Sequence, residues 1–467
     1  MPRSPGDHTR FPRAASHWVS DDNVVLLTDL YELTMAAGYV ANGLDEPATF
    51  DLFVRSLPAE RAFLVTCGLE QALDYLEGLH FPPAALEYLD SLGIFDRRLL
   101  DRLATLRFTG EVWAMPEGEI CFAGEPLARL TGPLVEVQLA ETFLLNCLGY
   151  QTLVASKAAR VALACGERSF FDFSARRDHG ADAALKAARA AYVGGAAGTS
   201  NVLAGMAYGI PLSGTMAHSY VMRFADEAEA HRTFARVFPG KATLLIDTYD
   251  TEEGARIAAR VATELRTEGI NIRAVRLDSG DVAALSRTVR HILDAAGHRD
   301  IEIFASGDLD EHVIAALLAG GAPIDAFGVG TRLGTSADVP SLPVVYKLVE
   351  DVSGPKIKVS PHKTTAPGRK QVYRVEDASE PHDVVALEEE RPPASGRPLL
   401  EQSIAGGRRV RAQEPLAAIR ARRAAAVARL PGRLRRLEPV EEPYSVRFSA
   451  GLAALIERLC GSVTRHE

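Results

Sequence analysis

From Phe170 onward the chain repeats one unit six times: a short apolar run, a polar or glycine-rich cluster, then a helical pattern. Phe170-Phe171-Asp172-Phe173 leads into Ser174-Ala175-Arg176-Arg177-Asp178, Leu212 to Ala217 into His218, and Leu244-Leu245-Ile246 into Asp247-Thr248-Tyr249-Asp250. Ala274-Val275-Arg276-Leu277 leads into Asp278-Ser279-Gly280-Asp281, Ile301 to Ala305 into Ser306-Gly307-Asp308, and Ala326 to Gly330 into Thr331-Arg332. Strands that alternate with helices lie parallel, because each helix carries the chain back to the end where the next strand starts. Polar groups at so many strand C-termini favour a closed β/α barrel over an open sheet, since closure brings every strand end to one mouth. No G-x-G-x-x-G fingerprint is present, and Gly328-x-Gly330 alone is a weak dinucleotide signal.

The expected fold is therefore α/β: an irregular β/α barrel over 151–350, beside a second α+β domain. That second domain is built from 23–150 and from 351–467 packing back on it, with 1–22 as a frayed tail. Leu26 to Met35 starts a helix with Thr28 or Asp29 as cap, Ala48 to Leu57 alternates as a strand, and Phe108 to Pro133 is β-rich. In Gly198 to Val221, Thr199 and Ser200 offer capping hydroxyls, Asn201 to Tyr208 makes about two helical turns, and Gly209 can close them with φ > 0. Ala417 to Arg436 is arginine-rich with interleaved alanine and no aromatics, which reads as a solvated helix face in preference to the alternative, an anion-binding tail.

Composition narrows the partners. A net charge of -9 gives no electrostatic footprint for nucleic acid or an anionic membrane. No window nears 18 uninterrupted apolar residues, and the N-terminus lacks the apolar core of a secretory signal. The five cysteines are scattered without a CxxC pair, so buried free thiols in a reducing cytoplasm are expected.

Several clusters suit phosphate. Ser306-Gly307-Asp308 and Gly328-Val329-Gly330-Thr331 place glycines just past strands, where backbone N–H groups can approach an anion. Asp278, Asp281 and Asp308 beside them suit Mg²⁺ or sugar hydroxyls, because bare carboxylates would repel phosphate. Arg176 and Arg276 either face the barrel mouth, ready for a carboxylate or phosphate, or pair with Asp178 and Asp278. No lysine ends a barrel strand as a Schiff-base former would, since Lys241 precedes its strand.

Thr28-Asp29-Leu30-Tyr31-Glu32-Leu33-Thr34-Met35, the Gly198–Ser219 unit, Val275 to Asp281, Gly328 to Thr331 and Pro367 to Arg374 together resemble nicotinate phosphoribosyltransferase, over about Leu26 to Arg374. The resemblance implies a type II phosphoribosyltransferase. Such an enzyme joins nicotinate to 5-phosphoribosyl 1-diphosphate, giving nicotinate mononucleotide and diphosphate, with coupled ATP hydrolysis and Mg²⁺. His218 matches the histidine that ATP phosphorylates. Tyr31 matches a tyrosine that reaches the partner subunit's site, which implies a homodimer.

On that pattern Asp278 orients ribose or the metal, and Gly307, Asp308, Gly328, Gly330 and Thr331 hold the 5′-phosphate and ribose. Nicotinate lies against Phe173 and Tyr31 with its carboxylate toward Arg276 and Thr215, and Arg176 touches ring or diphosphate. Ser200 stands where the nicotinamide-using relative has an aspartate, so the acid should be preferred to the amide. The alternatives are a nicotinamide-using transferase and a catalytically silent relative that binds nicotinate or a nucleotide.

Overall fold

The computed structural model describes residues 18–359, 365–376 and 380–463; most of the expected N-terminal tail lies outside them. Six short strands form an all-parallel sheet in the order Gly198–Thr199, Ser169–Asp172, Ala326–Val329, Glu302–Ala305, Ala274–Leu277, Thr243–Leu245. Helices Thr251–Thr267, Val282–Ala295 and Glu311–Ala319 follow three of these strands, as the parallel direction requires. Each is capped by an aspartate in or just past the preceding cluster: Asp250, Asp281 and Asp310 accept from backbone N–H groups of the first turn.

The segment Pro211–Ala217 closes the ring between the first and last strands. It was expected to be a strand, but it makes a single parallel bridge, Leu212 to Thr199. Pro211 has no N–H to give, and Gly198 packs so closely that a Cβ there would lie 2.4 Å from the Pro211 carbonyl oxygen. On the other side the Thr215 hydroxyl donates to the Thr243 carbonyl at 2.9 Å. The result is the irregular barrel that the sequence pattern implies.

The helix after Gly198–Thr199 runs Val202–Tyr208, and its cap is Asn201, not Thr199 or Ser200. The Thr199 hydroxyl is needed elsewhere, donating to the buried Asp172 carboxylate at 2.7 Å while accepting from Asn201 N–H. Gly209 closes the helix with φ 67°, as expected.

A second body surrounds a seven-stranded sheet that draws on both ends of the chain. Pro47–Val54 lies between Val344–Asp351 and Pro126–Pro133, and Glu401–Ala405 pairs with Glu111–Ala114. The helix Glu141–Cys165 connects this body to the barrel: Leu144 and Leu148 pack in its core, whereas Ala158, Val161 and Cys165 pack in the barrel core. Cys67, Cys121, Cys147 and Cys165 are buried free thiols. Among the described residues no helix is long and apolar enough to cross a membrane.

Candidate active site

The barrel's strand C-termini converge on a cleft of about 140 Å³ lined by Phe173, Arg176, Arg177, Arg276, Asp278, Ser306, Gly307, Asp308, Gly328, Gly330 and Thr331. Nine of the expected site residues therefore meet at one place.

Arg276 is the fixed point. Its Nε–H donates to Ser306 Oγ (2.8 Å), one Nη1–H to the Met216 carbonyl (3.3 Å) and one Nη2–H to Asp278 Oδ1 (2.5 Å). A guanidinium has five N–H groups, so two remain for an incoming anion. Its carbon also stands 5.8 Å from the centre of the Phe173 ring, a position that stiffens both groups. The pair with Asp278 and the place at the mouth, which the sequence left as alternatives, both hold.

Asp278 is ionised. Burial alone would raise its carboxyl, but the Ser306 hydroxyl and then the Arg276 guanidinium outweigh that and hold it below the usual carboxylate range. Its other oxygen, Oδ2, lies 4.0 Å from His218 Nε2. His218 Nδ1 meets the Thr248 hydroxyl at 3.1 Å. In the tautomer that donates Nδ1–H to Thr248, Nε2 carries the lone pair, and 41% of the side chain is open to solvent.

The glycines have separate reasons. Gly307 (φ 91°) passes over Asp278, where a Cβ would come within 2.0 Å of the Asp278 carbonyl oxygen. Gly328 instead makes room for aromatic rings: a Cβ there would lie 2.7 Å from the Phe173 ring and 2.9 Å from Phe304. Asp308 holds φ 46°, a strained conformation for a residue with a side chain and one that concentrates at ligand sites.

Other expected residues stand apart from this cleft. Thr215 uses its hydroxyl to close the barrel. Ser200 sits half-buried at a neighbouring strand end, its N–H donating to the Asp172 carbonyl at 2.9 Å. Tyr31 is exposed on the helix Leu30–Ala41 of the second body.

Sequence reading passed over Asp247, Thr248 and Ser306 as individual site residues. Asp247 Oδ2 accepts from Asp278 N–H (2.9 Å) and from Ser279 Oγ (2.7 Å), while its Oδ1 is buried without a partner. All three lie in strand-end clusters, but what singles them out is contact across strands, which the sequence does not display. Among the described residues no three acidic, histidine or cysteine side chains form a metal cage. Asp278 and the unpartnered Asp247 oxygen are the carboxylate groups here that could hold Mg²⁺ together with substrate phosphates.

Comparison with known proteins is consistent along the chain. Residues 26–149 match the nicotinate phosphoribosyltransferase N-terminal domain model, and residues 168–365 match the model of the nicotinate phosphoribosyltransferase family. Nicotinate phosphoribosyltransferase pncB2 of Mycobacterium tuberculosis is 45% identical over 436 residues, covering 93% of each chain. The Bacillus subtilis nicotinate phosphoribosyltransferase is 46% identical over 79% of this chain and 78% of its own. The crystal structure of human nicotinic acid phosphoribosyltransferase superposes with a TM-score of 0.83 at 30% identity, over 93% of this chain and all of that one. With both family models matched and the barrel mouth assembled as described, the chain belongs to the nicotinate phosphoribosyltransferase family.

Proposed function

We propose that the protein transfers the phosphoribosyl group of 5-phosphoribosyl 1-diphosphate to nicotinate in NAD salvage, coupled to ATP through phosphorylation of His218. The observation that carries this reading is Arg276, clamped beside the Phe173 ring with two N–H groups free and Asp278 between it and His218. A flat anionic ring has both its stacking partner and its charge partner there.

In the reaction the C1–O bond to diphosphate breaks and the electron pair leaves with diphosphate. The nicotinate ring nitrogen then gives its lone pair to C1. Asp278, ionised at neutral pH, stabilises the cationic ribose that develops between these events. The loops at Gly307–Asp308 and Gly330–Thr331 hold the 5′-phosphate, and Arg176 and Arg177 face the diphosphate. Mg²⁺, held by Asp278 and Asp247 with the diphosphate, would neutralise the departing charge. In the coupling step His218 Nε2 attacks the γ-phosphorus of ATP, and ADP leaves; Thr248 orients the ring for that attack. Ser200 supplies no carboxylate to accept an amide NH₂, which favours the acid over nicotinamide. Tyr31 completes the nicotinate site of a second subunit, and the assembly works in the cytoplasm.

A substrate panel tests this. Nicotinate, nicotinamide and quinolinate are each supplied with phosphoribosyl diphosphate and Mg²⁺, with and without ATP. Mononucleotide from nicotinate, stimulated by ATP, is expected. Preference for nicotinamide would overturn the role of Ser200, and no turnover with any base would favour a silent binding relative.

A further inference from the structure

The arginine-rich helix Leu416–Arg429 does more than face solvent. Nine lysines and arginines are buried among the described residues: Arg61, Arg129, Lys157, Arg160, Arg189, Arg276, Lys370, Arg374 and Arg423. Eight of them have a carboxylate within 4.0 Å. Arg423 is the exception. Of its five N–H groups only Nε–H finds an acceptor among the described residues, the Val193 carbonyl at 3.2 Å. Burial and then the neighbouring Arg420 push its guanidinium down to about 10, which is what an uncompensated buried cation shows. Leaving a charge buried and unpaired is costly, so it signals an anion that the protein chain does not supply.

A second arginine converges on the same spot. Arg420 Nη2 donates to the Gly195 carbonyl at 3.0 Å, its guanidinium lies 5.1 Å from the Tyr192 ring centre, and its Nε–H is buried without a partner. Gly195 is the floor between the two, at φ 126°. A Cβ there would lie 2.5 Å from Arg423 Nη2 and 2.9 Å from the Ala162 Cβ, so the glycine keeps the backbone close under the guanidinium. Both arginines line a cleft of about 300 Å³, within the range of small-molecule sites. Glu167 is the one acid on its rim and pairs with neither arginine, and Arg168 adds a third positive charge. The lining segments Gly166–Phe170 and Gly195–Ala197 precede or begin barrel strands, whereas the catalytic cleft gathers their C-termini. The two sites therefore occupy opposite ends of the barrel.

We propose that this cleft is a second anion site, in which Arg420 and Arg423 grip the phosphate group of a small phosphorylated ligand over Gly195. Two convergent guanidiniums suit the several acceptor oxygens of phosphate. Neither arginine takes part in the transfer reaction, so the site is separate from catalysis.

Crystals soaked in tungstate, a strongly scattering phosphate mimic, test the site directly. The wild-type protein should show a peak between Arg420 and Arg423, absent in R423M, while any peak at Gly307 and Gly330 persists in both. In parallel, Tm is followed as inorganic phosphate is added. Without phosphate, R423M should melt above the wild type because the unpaired charge is gone; with phosphate it should gain less. The half-exposed R420Q variant serves if R423M does not fold, and it should weaken the cleft's phosphate binding by about tenfold or more. Basal transferase activity should be unchanged in both. An empty cleft in tungstate-soaked wild-type crystals, a cleft peak that survives R423M, or equal phosphate-dependent Tm gains would overturn the proposal.

Discussion

A methyl group at Gly307 would sit 2.0 Å from the carbonyl oxygen of Asp278, on a backbone already at φ 91°. Gly307→Ala therefore has to push the phosphate loop away from Asp278, and displacement near 1 Å costs about 10²-fold in a positioned reaction. The expected result is a fall of about that size in kcat/KM for phosphoribosyl diphosphate with the protein still folded; a change under about twofold would refute the loop's role. His218→Ala removes the imidazole whose Nε2 faces Asp278. It should abolish the acid-labile phosphoprotein and the stimulation by ATP, yet leave slow ATP-independent transfer, and unaltered ATP stimulation would exclude the coupling role. Most of the cleft lining was legible, because glycines and arginines that recur just past successive parallel strands are brought to one mouth by the topology. Thr248 and Asp247 were not, since their roles exist only through contacts with His218 and Asp278 across strands.

The helix Glu227–Val237 shows how an element carries a pH dependence invisible in its sequence. His231 is fully buried, its Nε2–H donates to the Leu245 carbonyl at the end of a barrel strand, and burial pushes it down to about 4. An unfolded histidine takes up a proton near 6.5, so this group lends stability above that pH and loses it as pH falls toward 4. One turn away, burial and then Asp247 push Glu227 up to about 7. The folded state there binds the extra proton, so stability from Glu227 is present at low pH and fades as pH rises from 4.5 to 7. The two slopes oppose each other. Glu227→Gln removes one, and urea unfolding midpoints should then fall more between pH 7 and pH 5 than those of the wild type. Equal falls in both proteins would show that the pair does not titrate in this way. Helix Leu416–Arg429 was misread for a related reason: periodicity counts every arginine as solvent-facing and cannot tell that Arg423 turns inward.

At the scale of the whole molecule, buried charge ties the two bodies together. Lys157 and Arg160 on the connecting helix bind Glu311 at 2.6 and 2.9 Å, and Lys157 also binds Asp338, which Arg61 holds at 2.7 Å. Glu311→Gln leaves two buried cations undercompensated and should lower the unfolding free energy by about 3–5 kcal/mol; a loss below about 1 kcal/mol would mean the network is dispensable. The Pro367 to Arg374 motif acts in the same way. It carried the family resemblance, yet Lys370 binds buried Asp51 at 2.9 Å and Arg374 binds Asp383 and Glu119, so it joins sheets and does not enter the cleft.

The proposed role of Tyr31 in the reaction requires a second subunit, because its own chain holds it, exposed, on the second body. It stands beside exposed Leu27 and Leu30, and the barrel-side helix Val202–Tyr208 exposes Val202, Leu203 and Met206. Two separate apolar patches on one chain are what a two-fold pairing of second body against barrel would cover. If Tyr31 works in the partner's cleft, one complete site needs Arg276 from one subunit and Tyr31 from the other. Tyr31→Ala and Arg276→Ala homodimers should each be nearly inactive. Random re-pairing of equal amounts makes half the dimers hybrid, and each hybrid holds one intact and one doubly defective site. Activity should therefore recover to about a quarter of the wild-type level, the share of intact sites that a two-fold dimer dictates. No recovery after verified subunit exchange would place Tyr31 and Arg276 in the same subunit's site or remove Tyr31 from the reaction altogether.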